Sequence, residues 1–229
     1  IRDRGILVSD RGFRQPLFYW KNMDGNIIGA QYKYIKDNVC QKRFLKNTDR
    51  SNSLWMTPIE GSKALFVTED PLDAIAHSQL FPGARYAYLC TGGTSTKAQR
   101  EMIHSFSQKF KLPIILGNDN DLAGQLENFK LAYHTANIEY AINSKTQRVL
   151  LTVNGAEREW GKDEIVAALQ AVMKQRPNMI LSIPWAKDWN DDLRSSKKSI
   201  SLRIAENMVR AQIETTKSEQ RGMIAGKLP

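Results

Sequence analysis

The predicted fold depends on one stretch, Pro113-Ile-Ile-Leu-Gly-Asn-Asp-Asn-Asp-Leu-Ala-Gly124. Its apolar run Ile114–Leu116 predicts a short buried strand, and the residues after it have helical spacing. Between strand and helix lie Asp119 and Asp121, two carboxylates separated by one residue. Ligands of open α/β sheets bind at the carboxyl ends of the strands, so we expect both carboxylates to face a crevice.

Two further apolar runs of the sequence, Ala64–Thr68 and Met179–Pro184, also lead into acidic segments. The candidate site residues after these runs are, in chain order, Glu69, Asp73, Lys187, Asp188 and Asp191. Carboxylates gathered at one sheet edge repel one another unless cations bind among them, and hard oxygen ligands favour Mg²⁺ or Mn²⁺. The three acidic segments together therefore predict a site for a divalent metal.

A structural alternative stands beside the metal site. Asp and Asn are frequent in turns, and the string Asn118–Asp121 would also cap the helix that follows it. Because acidic residues recur at three similar positions, the metal site is favoured over capping alone.

Composition narrows the class of protein. The chain has 229 residues, of which 41% are hydrophobic and 25% charged, enough for one large domain with an appendage or for two small ones. No apolar stretch approaches the ~20 residues that span a bilayer, and two cysteines exclude a multi-cysteine zinc module. We therefore predict a cytoplasmic protein without a membrane partner. Since residue 1 is Ile, we expect a piece of a longer protein.

The net charge of +9 is unevenly distributed along the chain. Residues 1–62 carry 11 basic and 6 acidic side chains, residues 63–195 carry 15 of each, and residues 196–229 carry 7 and 3. A polyanion such as nucleic acid would bind the basic flanks while metal ions bridge its phosphates to the acidic centre. Basic flanks that serve only solubility are the alternative.

The sequence divides into three parts with different patterns. Residues 1–62 predict a small β-rich basic subdomain, and residues 63–195 alternate strands and helices, with an elaboration at 138–178. This alternation predicts an α/β fold with a parallel sheet flanked by helices. Residues 196–229 predict a basic helical tail.

The β-rich part alternates aromatic and polar residues. Tyr32 and Tyr34 alternate with Gln31 and Lys33, which places the tyrosines on one strand face and the polar side chains on the other. Basic and aromatic residues on short strands fit a surface that holds single-stranded nucleic acid or a nucleotide. They equally fit a twisted sheet whose aromatic side chains point inward.

A glycine-containing turn at 91–96 follows the apolar run Tyr86–Cys90. It lacks the Lys-Ser/Thr ending of a phosphate-binding Walker loop. We predict a tight strand-to-helix turn in which Thr94 or Ser95 caps the helix.

Taken together, these segments resemble the Toprim domain that bacterial and phage primases share with topoisomerases and related nucleases. The segments that carry the resemblance are Glu69 to Asp73, Asp119 to Gly124, and Lys187 to Asp191, with the turn from Cys90 to Gln99. The hairpin around Gly25 and the segment Lys42–Phe44 resemble the basic subdomain that precedes Toprim in bacterial primases. Asp70-Pro71 departs from the family pattern, in which a small Gly commonly follows the Glu.

The resemblance implies a primase-like nucleotidyltransferase that makes RNA primers on single-stranded DNA with Mg²⁺ or Mn²⁺. The catalytic residues that it implies are Glu69, Asp119, Asp121, Asp188 and Lys187, with Asp73 and Asp191 as supporting metal ligands. The residues that it implies for binding template or nucleotide are Lys33, Lys42, Arg43 and Lys46. Primases of this kind use a zinc module to recognise a template start, so this chain is not expected to initiate alone.

The expected partners are single-stranded DNA, ribonucleotides, and a helicase or relaxase domain of the parent protein. Proteins of plasmids and other mobile elements, including conjugation and mobilisation proteins, are the relatives that the pattern favours. Two other functions stay open. One is metal-dependent DNA nicking, as in Toprim nucleases and topoisomerases, and the other is a non-catalytic nucleic-acid-binding module.

Overall fold

A computed structural model describes residues 6–8, 15–37 and 39–195. The strands are β1 Ile6–Val8, β2 Pro16–Lys21, β3 Ile27–Lys36, β4 Val39–Phe44, β5 Leu54–Met56, β6 Ala64–Thr68, β7 Tyr86–Cys90, β8 Ile114–Leu116, β9 Ile138–Asn143, β10 Arg148–Val153, β11 Ala156–Gly161 and β12 Met179–Leu181. The helices are α1 Pro71–Leu80, α2 Lys97–Phe110, α3 Leu122–Ala132, α4 Lys162–Gln175 and α5 Trp189–Arg194. The predicted basic tail at 196–229 lies outside the described residues.

Four parallel strands form the centre of the main sheet, in the order β12-β8-β6-β7. Every residue of β6, β7 and β8 is buried, because helices cover both faces of this part of the sheet. The predicted fold class, an α/β protein with a Toprim-type parallel sheet flanked by helices, is confirmed. None of the helices in the described ranges has the length and apolarity that crossing a membrane requires.

Alternation along β6 separates two hydrophobic cores. Leu65 and Val67 pack on one face, in the same core as the buried residues of α2, α3 and α4. Ala64 and Phe66 pack on the other, with α1, Trp189 of α5 and the buried aromatic residues of the N-terminal strands. Burial of these side chains removes apolar surface from water, which stabilises the fold by about 25 cal/mol per Å².

The N-terminal strands extend the same sheet. Strand β5 pairs antiparallel with both β7 and β2, and β3 and β4 follow as an antiparallel ribbon. The turn between β2 and β3 contains Gly25 at φ 84°, as the hairpin signal predicts. The sheet is therefore continuous across residues 62 and 63, and the division into domains at this point stays a prediction.

The elaboration after α3 contains a separate antiparallel sheet, in the order β11-β10-β9. The hairpin of β10 and β11 turns at Asn154 and Gly155, both with positive φ. Strand β9 is not among the predicted strands, although Ile138, Tyr140 and Ile142 alternate along it with Glu139, Ala141 and Asn143. Val149 and Leu151 bury one face of this sheet against the core that contains α3 and α4.

Helix α2 begins at Thr96, so the prediction that Thr94 or Ser95 caps it is wrong. Thr96 Oγ1 accepts from the Gln99 amide at 3.1 Å, and the Gln99 side chain accepts from the Thr96 amide at 2.9 Å. Ser95 cannot serve as the cap, because its hydroxyl and its amide both donate to the buried carboxylate of Glu127. The result is a reciprocal capping box.

Replacing Gln99 with Leu is expected to lower the free energy of unfolding by about 2–4 kcal/mol. Gln99 is fully buried, and its Nε2 donates to the carbonyls of Arg50, Ser53 and Thr91 at 2.8–3.1 Å. Leucine would leave these carbonyls without that donor. Urea unfolding measures the difference, with Gln108→Leu on the exposed side of α2 as the matched control. Equal losses for the two variants would contradict the expectation.

His77 is expected to contribute a loss of stability at acidic pH. This side chain is fully buried between Phe66 and Trp189, and burial lowers its pKa to about 3. Below about pH 6.5 the imidazole of His77 binds a proton in the unfolded chain, whereas in the folded chain it stays neutral until about pH 3. The His77 contribution to stability is therefore lost as pH falls from about 6.5 toward 3. At pH 5 the loss is about 2 kcal/mol relative to neutral pH.

Urea unfolding of wild type and His77→Phe at pH 7.5 and pH 5 isolates this contribution, because the raised pKa values of Asp73 and Asp119 make those carboxyls act in the opposite direction over the same range. His77→Phe should reduce the pH dependence by the same amount, because phenylalanine has no proton to exchange. A variant with the wild-type pH dependence would show that His77 is not the responsible group.

Candidate metal centre

Three aspartates begin helices at the carboxyl ends of the parallel strands. Asp70 accepts from the Leu72 amide at the start of α1, Asp121 from the Gly124 amide at the start of α3, and Asp188 from the Asp191 amide at the start of α5. Each cap uses one carboxylate oxygen. The capping interpretation of Asn118–Asp121 therefore holds for Asp121, and Asp188 caps α5 in the same way. Each of these two aspartates retains a second oxygen for another contact.

The carboxylates meet at one edge of the sheet. Burial raises the pKa of Asp119 to about 7, with the negative charges of Glu69, Asp121 and Asp188 adding to the shift. Burial also raises the pKa of Asp73 to about 8, and the charges of Asp119, Asp70 and Asp188 add to that shift. Carboxylates from three separate segments thus raise the pKa values of Asp73 and Asp119. We call the following set the carboxylate cluster: Glu69, Asp73, Asp119, Asp121 and Asp188.

The cluster fits a divalent cation on electrostatic grounds. Asp119 Oδ1 is buried and accepts no hydrogen bond from the described residues. A buried carboxylate oxygen without a donor is costly, and a cation would satisfy it. Within the described ranges, no three acidic, histidine or cysteine side chains are already arranged as a complete ion-binding group. The fit therefore rests on the charge and burial of the cluster.

Two of the predicted nucleic-acid-binding lysines contact acidic residues at this edge. Lys42 Nζ lies 2.9 Å from Glu69 Oε1 and 3.7 Å from Asp70 Oδ2. Lys33, predicted to lie on a basic surface, is buried and forms an ion pair with Asp70. The alternation along β3 explains this, because Lys33 is on its buried face whereas Tyr32 and Tyr34 are half-buried on the other.

The remaining two predicted nucleic-acid contacts, Arg43 and Lys46, have exposed side chains. They lie at and just beyond the end of strand β4, which also carries Lys42. The structure thus separates the four basic residues into two that pair with carboxylates and two that face solvent. Their contact with nucleic acid stays a prediction.

Helix α5 places Asn190, rather than the predicted Asp191, in contact with the carboxylate cluster. Asp191 lies 3.7 Å from the guanidinium of Arg194, and 45% of its side chain is exposed. Asn190 instead donates a hydrogen bond to the carboxylate of Asp73 in the cluster. Sequence reasoning missed Asn190, although the segment Asp188-Trp-Asn-Asp191 contained the signal, an amide between acids.

Lys187 links the last two acidic segments. Its carbonyl accepts from the Asn120 amide at 2.7 Å, which fixes the loop before α5 against the loop that carries Asp119. Its ammonium lies 3.9 Å from Asp121 Oδ2 and is 64% exposed. The exposed ammonium is therefore available to a phosphate at the edge of the cluster.

Two glycines permit the close packing that positions Asp119. A Cβ on Gly124 would lie 2.2 Å from the carbonyl oxygen of Asp119, and a Cβ on Gly117 would lie 2.3 Å from the Phe66 ring. The Gly117 carbonyl also accepts from Trp189 Nε1 at 2.8 Å. The loop that carries Asp119 is thus held between α3 and α5.

Comparison with known proteins places this geometry in context. Residues 66–147 match a family model described as Toprim-like. Glu69, Asp119 and Asp121 lie inside the matched range, and Asp188 lies beyond it. A search of curated proteins found no match.

Several solved structures are similar to the chain at low sequence identity. The DnaG catalytic core is 14% identical with a TM-score of 0.46, and the match covers 93% of this chain and 57% of that one. The primase fragment of the bacteriophage T7 primase-helicase is 14% identical with a TM-score of 0.44, covering 90% and 64%. The E. coli primase catalytic core is 15% identical with a TM-score of 0.42, covering 93% and 57%.

The chain thus spans about three fifths of the length of the primase structures that it matches. The family-model match covers the first two acidic segments, and the parallel sheet gathers them as a Toprim fold requires. Residues 66–147 of this chain are therefore a Toprim domain, as the acidic motifs predict.

Proposed function

We propose that the chain is the catalytic part of a primase-like nucleotidyltransferase, which synthesises RNA primers on single-stranded DNA with Mg²⁺ or Mn²⁺. The observation that supports it best is the environment of Asp119. This carboxylate is mostly buried, it is surrounded by the charges of Glu69, Asp121 and Asp188, and one of its oxygens accepts no hydrogen bond from the described residues. A divalent cation and a triphosphate are the ligands that such a site suits.

Each part of the edge has a proposed task. Glu69, Asp119, Asp121 and Asp188 would hold the metal, with Asp73 in support. When bound, the metal lowers the pKa of the attacking 3′-hydroxyl and neutralises charge on the departing pyrophosphate. Lys187 would contact a phosphate of the nucleotide at the rim.

The basic residues outside the cluster have a separate task. Arg43 and Lys46 would attract the template backbone to the exposed surface beside β4. Contacts of this kind position the strand without reading its sequence, so we expect little template preference from them.

The proposed setting is the cytoplasm of a cell that carries a plasmid or another mobile element. The proposed partners are single-stranded DNA and ribonucleotides, with a helicase or relaxase domain elsewhere in the parent protein. Because the chain spans only part of the primases that it matches, a template with a short annealed RNA is the appropriate substrate. It removes the need for an initiation module.

Extension of the annealed RNA by ribonucleoside triphosphates tests the proposal. The wild-type chain is expected to extend the RNA in Mg²⁺ or Mn²⁺ and to lose this activity in EDTA. Glu69→Gln should reduce extension at least 100-fold, an order of magnitude typical of removing one electrostatic catalytic group. Glu60→Gln, an exposed glutamate ahead of the first parallel strand, is the matched control and should retain activity.

Other outcomes would redirect or overturn the proposal. Nicking of supercoiled DNA without RNA extension would assign the site to strand cleavage. Strand binding that Glu69→Gln leaves unchanged, with neither extension nor nicking, would indicate a non-catalytic binding module. Full extension by Glu69→Gln would remove the carboxylate cluster from the mechanism.

A further inference from the structure

Trp185 is the tryptophan that solvent reaches most in the described part of the chain. Its exposed fraction is 60%, whereas Trp20, Trp55 and Trp189 are 0–2% exposed. Leaving an indole in water forgoes about 1.5–3 kcal/mol of burial free energy. A single exposed apolar residue needs no explanation by itself, but the backbone that carries this one is held in an unusual way.

The backbone of Trp185 is fixed by a buried carboxylate. Asp192 is 3% exposed, and its two oxygens accept from the amides of Trp185 at 2.9 Å and Ala186 at 2.7 Å. Asp192 lies in α5, which is itself anchored by the buried indole of Trp189. Both oxygens of this buried acid therefore hold the backbone of the loop that carries the exposed ring. A backbone that is already fixed reduces the entropy lost when a ligand binds.

This loop borders the carboxylate cluster. Trp185 precedes Asp188 by three residues. The carbonyl of the intervening Lys187 accepts a hydrogen bond from the Asn120 amide of the neighbouring acidic loop. The ammonium of Lys187 is mostly exposed at the same rim. An aromatic face, a mostly exposed cation and a carboxylate of the cluster thus follow one another within four residues.

We propose that Trp185 stacks against a nucleobase of the substrate whose phosphates are handled at the carboxylate cluster. The inference rests on the proposed function and adds the group that recognises the base. Stacking on an aromatic side chain contributes about 1–3 kcal/mol per base and tolerates any base, which suits an enzyme that copies varied templates. Lys187 would hold the adjacent phosphate, as basic residues do beside stacking platforms.

Fluorescence anisotropy of a labelled single-stranded DNA, without ribonucleotides so that no reaction occurs, tests this contact. Trp185→Ala should weaken binding about 5- to 150-fold, which is the stacking energy converted to an affinity ratio. Trp185→Phe should stay within about 3-fold of wild type, because phenylalanine retains a stacking face. Leu150→Ala, which removes another exposed apolar side chain on the small antiparallel sheet, is the control and should bind as wild type.

A second strand of the same length, built of abasic residues, separates stacking from any other use of the ring. Wild type should lose affinity for it by about the factor that Trp185→Ala costs, and Trp185→Ala should bind both strands alike. Calorimetry with a ribonucleoside triphosphate identifies the source of the base. If Trp185→Ala loses affinity only for the triphosphate, the base of the nucleotide stacks on Trp185. If it loses affinity only for the DNA strand, a template base stacks there.

The outcomes separate this inference from the proposed function. If wild type binds DNA or nucleotide and Trp185→Ala binds both equally well, the stacking contact is wrong and the primase-like function is untouched. If wild type binds neither ligand, both are wrong. Equal melting temperatures of wild type and Trp185→Phe confirm that the comparison concerns folded protein.

Discussion

Replacing Asp119 with Asn is expected to make the metal-free protein more stable while abolishing the proposed metal-dependent RNA extension. The folded-state pKa of Asp119, about 7, is higher than its ordinary value of 3.8, so ionisation of this carboxyl opposes folding. The penalty is complete above about pH 7 and disappears as pH falls toward 4. Asparagine removes it, and we expect a gain of about 4 kcal/mol at pH 8 in EDTA.

Urea unfolding of wild type and Asp119→Asn at pH 8 and pH 5 measures the gain, which should shrink at the lower pH. RNA extension by the variant should fall at least 100-fold. Asp24→Asn, in the exposed turn between β2 and β3, is the control for removing one negative charge. A variant that is less stable than wild type in EDTA would contradict the electrostatic account of the cluster.

Replacing Gly124 with Ala is expected to destabilise the fold by about 3 kcal/mol or more, of the order found for overpacked interiors. Helix propensity alone favours Ala over Gly by about 1 kcal/mol, so the expected sign opposes the local preference. The reason is the Cβ position, 2.2 Å from the Asp119 carbonyl oxygen and 2.7 Å from its amide nitrogen. The backbone that carries Asp119 must move before alanine fits.

Thermal and urea unfolding measure this effect, with Ala123→Ser at the preceding exposed position of α3 as the control. RNA extension should be lost even at temperatures where the variant remains folded, because Asp119 is displaced. A Gly124→Ala protein that is more stable than wild type would show that helix propensity outweighs the steric clash and that the loop carrying Asp119 can accommodate a Cβ.

The parallel sheet was predictable because its signals are local. Strands of three to five mostly apolar residues alternate with helices, and the acids that follow the strands must meet where parallel strands end. Glu69, Asp119 and Asp188 accordingly lie at a common edge of the sheet, where the charges of Glu69 and Asp188 contribute to the raised pKa of Asp119. The turn at Asn154 and Gly155 was equally readable, because positive φ favours these residue types.

The contacts of the lysines were not predictable, because they depend on how two distant parts of the chain meet. Nothing near Lys42 in sequence indicates that it pairs with Glu69, which lies 27 residues away. Asp70 replaces a small residue of the family pattern, and the structure shows Lys33 of β3 against it. The choice between Asn190 and Asp191 likewise depends on the orientation of a six-residue helix, which neighbouring letters do not determine.

The exposed tryptophan could be noticed in the sequence only as one of five. Its distinction arises from burial of Trp20, Trp55 and Trp189 and from the two hydrogen bonds that Asp192 accepts from the loop. Both features are tertiary. Sequence patterns therefore located the site, and packing determined which residues surround it.

The most direct test of the metal site is anomalous scattering from crystals of the chain soaked in Mn²⁺. The account predicts a manganese peak bonded at about 2.2 Å, the ordinary distance for such oxygen ligands, to carboxylate oxygens of Glu69, Asp119 or Asp188. Asp119→Asn crystals treated in the same way should show a weaker peak or none. A manganese ion bound elsewhere, with the cluster empty and Glu69 still paired with Lys42 in crystals that bind the metal, would contradict it.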